Sequence, residues 1–172
     1  MDEDALSDLI RSATDLWKID NHAEAEPLFR QAYPHLDLSY WNTTNVLNLY
    51  ALSLAQLGRA EESIEIFKKA LDSAAKTDSE DSVTVTYARF CLGDHLVKHG
   101  RPNEAMAAIL PSLKIECESK WLLTYLAAKI HFRASDVAAF ERSAAELMQI
   151  APQGRFTSIE RIKELIESEG SY

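Results

Sequence analysis

The chain has 172 residues, of which 47% are apolar and 26% are charged, and its formal net charge is −9. This composition excludes a collagenous, low-complexity or wholly disordered chain, and it supplies enough apolar residues for a core without metals or disulfides. The excess of acidic residues argues against a nucleic-acid-binding surface, because such surfaces need clustered cations.

The predicted location follows from two further features of the sequence. The segment Met1–Asp4 is acidic where a secretory signal would be basic. No apolar run approaches the roughly 18 residues that a membrane-spanning helix requires. We therefore expect a cytoplasmic protein that does not enter a membrane. Cys91 and Cys117 lack the spacing of metal knuckles or redox pairs, so we expect reduced thiols.

Apolar residues recur at intervals of three and four along almost the whole chain, which is the period of an amphipathic helix. Gly58 and Gly100 separate such stretches, as helix-ending glycines do. Pro111 is expected to kink or shorten its helix. The fold class is therefore all-α. The predicted helices lie near residues 3–18, 22–33, 43–57, 60–75, 82–99, 102–116, 119–133, 136–150 and 157–169.

A set of small and large apolar residues recurs along these helices. Its members are Ala51–Leu54, Gly58, Ser63, Phe67 and Ala70; then Ala13–Leu16, Asp20, Ala25, Phe29 and Ala32; then Gly93–Leu96, Gly100, Ala105, Ile109 and Ser112. A fourth unit places Ala128, Phe140 and Ala144 at corresponding positions. Each unit predicts a helix-turn-helix hairpin, because small residues lie where one helix approaches another closely.

These residues resemble the tetratricopeptide repeat (TPR), and the segment Ala23–Ala32 is similar to its kinesin light chain type. The resemblance implies a right-handed α-solenoid of about four hairpins, with repeats near 3–36, 43–76, 82–117 and 119–152. These form a repeat domain over 1–155. The stripe of Ile159, Ile162, Leu165 and Ile166 predicts a capping helix and tail over 156–172, because solenoids need a capped end.

The resemblance also implies which residues face the inner side of the solenoid and bind a partner. They are Trp17, Lys18, Asn45, Asn48, Gln56, Tyr87, Phe90, Asp94, Lys98, Tyr125, Lys129, Phe132 and Arg133. Aromatic and basic side chains are frequent among them, which favours a protein or peptide segment with apolar anchors and carboxylates. An alternative interpretation is that the aromatic rings pack against the second helices or the terminal cap.

The sequence contains no glycine-rich phosphate loop and no nucleophile turn, so we expect a non-enzyme without cofactor or metal. His95 and His99 lie one helical turn apart, as zinc ligands can, but Leu96 stands where a zinc protease has its glutamate base. An enzyme using these histidines is a third hypothesis, which a measurement of zinc content decides.

The leading prediction is a protein-interaction module, and we favour a monomer over a self-associating array. The alternative is an inhibitory or immunity-type protein that neutralises a basic toxin or effector through its acidic surface, which includes Glu61, Glu62 and Glu65. Such a complex would lose association rate steeply with added salt.

Overall fold

The computed structural model describes residues 1–40 and 42–169, and within these ranges the chain forms nine α-helices, one short 3-10 helix and no strand. The helices are α1 (Glu3–Lys18), α2 (His22–Ala32), α3 (Thr43–Gln56), α4 (Ala60–Thr77), α5 (Val83–Lys98), α6 (Pro102–Leu113), α7 (Lys120–Arg133), α8 (Val137–Ile150) and α9 (Ile159–Ser168), with the 3-10 helix Tyr33–His35 after α2. The all-α prediction is confirmed, and every helix end lies within three residues of its expected position. Residues 170–172 of the predicted tail lie outside the described residues.

The helices belong to two compact units, the first from Met1 to Ser79 and the second from Glu80 onwards. In the first unit α1 packs on α2 and α3 on α4, and α3 also contacts α1 and α2. In the second unit α5 packs on α6 and α7 on α8, while α7 also contacts α5 and α6, and α9 packs on α8. Each unit therefore contains two helix hairpins, and in both units the first helix of the second hairpin contacts both helices of the first hairpin. The predicted repeat domain 1–155 spans both units.

The same three-residue turn joins the two helices of every hairpin. Its middle residue has a left-handed backbone, with φ of 57° at Asp20, 74° at Gly58, 71° at Gly100 and 58° at Ser135. In each turn the next residue donates its N–H to a carbonyl five positions back, at 2.9 or 3.0 Å. This hydrogen bond satisfies a carbonyl that the helix end leaves without a partner. The hairpins therefore share one local geometry although only two of the turns contain glycine.

The recurring small and apolar positions form the contacts within the hairpins. Those that are at most 1% exposed are Ala13, Ala25, Phe29, Ala32, Ala51, Ser53, Leu54, Ser63, Phe67, Ala70, Ala105, Ile109, Ser112, Ala128, Phe140 and Ala144. The polar members need partners when buried, and the Ser63 hydroxyl accordingly donates to the Ala51 carbonyl at 2.7 Å. Burial at these positions explains why their residue types recur.

Gly93 marks the closest approach of three helices in the second unit. A Cβ atom at this position would lie 2.7 Å from Leu126 Cδ2 and 3.0 Å from Ile109 Cγ2. Both distances are shorter than a carbon–carbon contact of about 3.5–4.0 Å allows. The absence of a side chain at Gly93 therefore lets α5 approach α6 and α7.

The helix α6 contains a proline near its C-terminal end and is shorter than expected. Pro111 lies in the last turn of α6, which ends at Leu113 rather than at the expected residue 116. Proline has no N–H to donate to the preceding turn, and its ring crowds that turn. The expected shortening is confirmed.

Candidate functional site

Four of the predicted partner-binding residues lie on one face of α5, where they recur at intervals of three and four. They are Tyr87, Phe90, Asp94 and Lys98. Val83 extends this face by one turn toward the start of the helix. The Val83 side chain is 59% exposed and that of Tyr87 is 45% exposed, and the rings of Tyr87 and Phe90 stack with their centroids 6.5 Å apart. We call Val83, Tyr87 and Phe90 the α5 stripe.

Beyond the α5 stripe the same face becomes ionic. The Lys98 ammonium donates to Asp94 Oδ2 at 2.8 Å. The Lys129 ammonium, on α7, donates to Asp94 Oδ1 at 2.7 Å and to Glu169 Oε2 at 2.7 Å. We call Lys98, Asp94, Lys129 and Glu169 the ionic quartet, in which two cations balance two anions.

Lys129 is the most deeply buried member of the quartet. Its exposure is 0%, which is rare for lysine and costly unless the charge is paired. Burial alone would raise the pKa of the Asp94 carboxyl, but Lys129 and Lys98 outweigh this effect and hold that pKa below its ordinary value. Asp94 therefore remains a carboxylate and stabilises both ammonium groups.

Tyr125 connects the quartet to the apolar part of the second unit. Its hydroxyl donates to Glu169 Oε1 at 2.9 Å, and its ring stacks on Phe156 with centroids 5.4 Å apart. Burial, followed by the hydrogen bond to Glu169, raises the pKa of the Tyr125 hydroxyl. The hydroxyl therefore stays protonated and serves as a donor.

The inner-face residues of α7 are largely covered in this conformation. Tyr125 is buried against Phe156, and Phe132 packs edge-on against Phe140 with centroids 5.3 Å apart. The alternative interpretation, in which these rings pack against a second helix or the cap, describes both residues. Together with Lys129, Tyr125 is inaccessible to a partner. Arg133 is exposed and forms no ion pair with any carboxylate among residues 1–40 and 42–169.

The first unit contains the other five predicted residues, which are Trp17, Lys18, Asn45, Asn48 and Gln56. Lys18, Asn45 and Gln56 are exposed, and Lys18 forms an ion pair with Asp15 on its own helix at 2.9 Å. Asn48 is only 3% exposed, and its Oδ1 atom has no hydrogen-bond partner within the described part of the chain. In that same part, no hydrogen bond or ion pair joins any two of the five. The first unit therefore does not assemble them into a polar site.

The first unit has a pocket that the sequence did not indicate. Its volume is about 400 Å³, and it lies between the N-terminal parts of α1 and α3 and the segment that joins α2 to α3. Leu6, Ile10 and Val46 provide apolar walls, and Glu3 and Asp37 provide carboxylates. None of the predicted partner-binding residues lines it.

Glu169, which completes the quartet, was not among the residues predicted from the sequence. Ile159, Ile162, Ile166 and Glu169 are spaced by three, four and three, so they lie on one helical face. Ile162 and Ile166 are buried in a cluster with Phe140 of α8. The sequence signal that could have identified Glu169 is its position on the same helical face as these apolar residues.

The described residues were searched for groups that could hold a metal ion and for helices that could cross a membrane. Among them, no group of three His, Cys, Asp or Glu is placed to hold a metal ion. His95 is buried and His99 is exposed, with their rings 4.4 Å apart. Burial raises the pKa of the Cys91 thiol to about 11, so this thiol is neutral near pH 7. No helix within the described ranges has both the length and the hydropathy to cross a bilayer.

A comparison with known protein families finds no model that matches the chain, and a search of curated proteins finds no significant relative.

Proposed function

We propose that the chain is a non-enzymatic protein-binding module whose hairpins are TPR-like repeats of a right-handed solenoid. The proposal is supported by the turn that all four hairpins share and by the burial of the recurring small residues. It is also supported by a packing pattern that both units share, in which the first helix of the second hairpin contacts both helices of the first hairpin. In the proposed arrangement a partner segment lies along the first helices of the hairpins, on α5 and α7.

The observation that carries this proposal is the α5 stripe, which is exposed at Val83 and Tyr87 and half-buried at Phe90. Val83 and Tyr87 present apolar area to solvent, and Lys98 lies further along the same face. Arg133, at the end of the neighbouring helix α7, supplies a second exposed cation. Tyrosine and arginine are frequent energetic centres of protein interfaces. The partner is therefore a segment with apolar side chains for the α5 stripe and a carboxylate for Arg133, because Lys98 is already paired with Asp94.

The acidic surface of the alternative function has less support. Glu62 accepts a hydrogen bond from Arg59 at 2.7 Å, and Glu65 forms an ion pair with Lys68 at 2.7 Å. These local pairs reduce the field that the two carboxylates project toward a basic partner. The α5 stripe is the better candidate for the main contact.

The test compares two double variants that remove similar amounts of exposed apolar surface. Val83→Ser/Tyr87→Ala disrupts the α5 stripe, whereas Leu110→Ala/Val137→Ser changes α6 and α8, where these residues are 45% and 63% exposed. Each protein is immobilised, and the proteins captured from a lysate of the native cells are quantified. We expect the wild type and the α6/α8 variant to capture the same partner and the α5 variant to lose it.

Circular dichroism and urea unfolding establish that both variants are folded. Undiminished capture of the same partner by a folded Val83→Ser/Tyr87→Ala protein would remove the α5 stripe from the proposed function. Equal loss from both double variants would also contradict it, because the effect would then not depend on α5.

A further inference from the structure

The short helix α9 is attached to the rest of the second unit by one apolar face and by the carboxylate that follows it. Within the described residues, its side-chain hydrogen bonds to other helices all come from Glu169, which follows the helix and accepts from Tyr125 and Lys129. Its fully buried apolar contacts come from Ile162 and Ile166. Ile159 and Leu165 pack against the same apolar cluster, and the Lys163 ammonium lies 5.7 Å from the centroid of the Phe140 ring. The two buried isoleucines and the Glu169 carboxylate therefore provide the fully buried and hydrogen-bonded part of the contact between α9 and the surface beneath it.

The position of Glu169 is unfavourable for the helix that precedes it. Glu169 is the C-terminal cap residue of α9, and a negative charge at this end opposes the helix dipole. The carboxylate is nevertheless directed at a fully buried ammonium group. Its position thus suits recognition of Lys129 better than stability of α9 itself.

The surface of α7 and α8 that α9 covers, which we call the seat of α9, has the chemistry expected of a binding surface for an acidic helix. Without α9, the quartet would keep Lys98, Asp94 and Lys129, so one positive charge would lack its balancing anion. Tyr125 would lose the acceptor of its hydroxyl, and Phe140 would lose the cover of Ile162 and Ile166. The uncovered surface would combine one cation, one hydrogen-bond donor and aromatic rings.

We propose that the surface of α7 and α8 beneath α9 is a binding surface for an acidic amphipathic helix of a partner protein, and that α9 is its intramolecular occupant. This inference rests on the proposed function, because the partner segment that lies on the α5 stripe continues onto α7 and displaces α9. The partner helix carries two aliphatic residues four positions apart and a carboxylate three positions after the second. These are the spacings of Ile162, Ile166 and Glu169.

The experiment supplies this helix in trans. A fluorescent synthetic peptide of residues 155–169 is titrated into the full-length protein, and binding is followed by anisotropy. The wild type is compared with Glu169→Gln, which weakens the resident α9, and with Glu167→Gln, an exposed control on the same helix. We expect Glu169→Gln to bind the peptide at least about tenfold more tightly than the wild type, because its seat is open for a larger fraction of the time. The control should bind like the wild type.

A second measurement identifies where the peptide binds. Hydrogen exchange is recorded by NMR on isotope-labelled protein with unlabelled peptide, so that only the protein's own amides are observed. Bound peptide should accelerate exchange in the protein's α9 and leave α5 unchanged. A peptide carrying Gln in place of Glu169 should bind about tenfold more weakly, since it lacks the charge that pairs with Lys129.

Two results would overturn the inference. One is a folded Glu169→Gln protein that binds the peptide no better than the wild type, and the other is peptide binding that leaves exchange in α9 unchanged. Val83→Ser/Tyr87→Ala separates this inference from the proposed function, because the α5 stripe lies outside the seat of α9 and peptide binding should survive its disruption. Loss of partner capture by this variant without any peptide binding would support the proposed function alone.

Discussion

The ammonium group of Lys129 lies 2.7 Å from Oδ1 of Asp94, and this ion pair joins the middle of α7 to α5 across 35 residues of sequence. Because Lys129 has no exposure to solvent, water cannot replace a lost carboxylate. A buried ion pair often contributes little net stability compared with an apolar pair, but removal of Asp94 leaves Lys98 and Lys129 with only the Glu169 carboxylate of the quartet, and thus with one uncompensated charge. The two residues should therefore behave as a unit.

Removal of Asp94 should be costly, and simultaneous removal of Lys129 should restore part of the loss. We expect Asp94→Ala to lower the free energy of unfolding by about 2–3 kcal/mol, somewhat less than for a completely buried pair, because Asp94 is partly exposed and Lys129 keeps its ion pair with Glu169. Asp94→Ala/Lys129→Met should be more stable than Asp94→Ala. Urea unfolding of the single and double variants measures the coupling between the two sites.

Asp15→Ala provides the control for this cycle, because Asp15 pairs with Lys18 on the exposed surface of α1. Its effect should be within about 0.5 kcal/mol of zero. Additive effects of the Asp94 and Lys129 substitutions would show that the buried pair is not a unit.

The free energy of unfolding should decrease at low pH, partly because the Asp94 carboxyl becomes protonated. The folded state holds the pKa of this carboxyl below its ordinary value, so the unfolded chain binds the proton more readily. The contribution is complete above the unfolded pKa of about 3.9 and is lost as the pH falls through the folded pKa. Between about pH 5 and about pH 3, the wild type should therefore lose more unfolding free energy than Asp94→Asn. Urea unfolding at both pH values measures the difference, and equal losses would contradict a lowered pKa at Asp94.

The helices could be predicted because their signals are local. Apolar spacing and the glycines at 58 and 100 define helices and their ends within a few residues of sequence. The left-handed backbone at Ser135 could not be predicted in this way, because serine rarely adopts that conformation and its residue type does not indicate it. The hydrogen bond from the Asp136 N–H to the His131 carbonyl at 3.0 Å closes this turn as in the other hairpins.

The partners of individual side chains could not be predicted from spacing. Alignment of the sequence with the repeat pattern predicts that Lys129 lies on the inner face, but the burial of Lys129 depends on where α9 lies. Glu169 reaches Lys129 across 40 residues of sequence, and the apolar stripe of α9 does not specify which surface it covers. The spacing of the α5 residues was therefore enough to predict that they share one helical face, while the covering of Tyr125 and Lys129 required the structure.

Gly93 should not tolerate even a methyl group without loss of stability. Gly93→Ala would gain helix propensity of up to about 1 kcal/mol, but overpacking against Leu126 and Ile109 typically costs about 1–3 kcal/mol. We expect a net destabilisation of about 1–2 kcal/mol, measured by urea unfolding. If the close approach is the cause, Gly93→Ala/Leu126→Ala should lose less than the sum of its single variants. A stabilised Gly93→Ala protein would mean that α5, α6 and α7 do not meet as closely as described.

The turn between α7 and α8 offers a substitution that should increase stability. Ser135 has a φ of 58°, a conformation that costs a residue with a side chain about 1 kcal/mol and that glycine adopts freely. Ser135→Gly should therefore raise the free energy of unfolding by about 0.5–1 kcal/mol. The adjacent Ala134 has a right-handed backbone with φ of −78°, so Ala134→Gly should be destabilising instead. Thermal or urea unfolding distinguishes the two. Because Gly58 and Gly100 already occupy this place in two other hairpins, failure of Ser135→Gly to stabilise would show that the fourth turn differs from them, and it would count against the proposal that α7 and α8 form a fourth repeat.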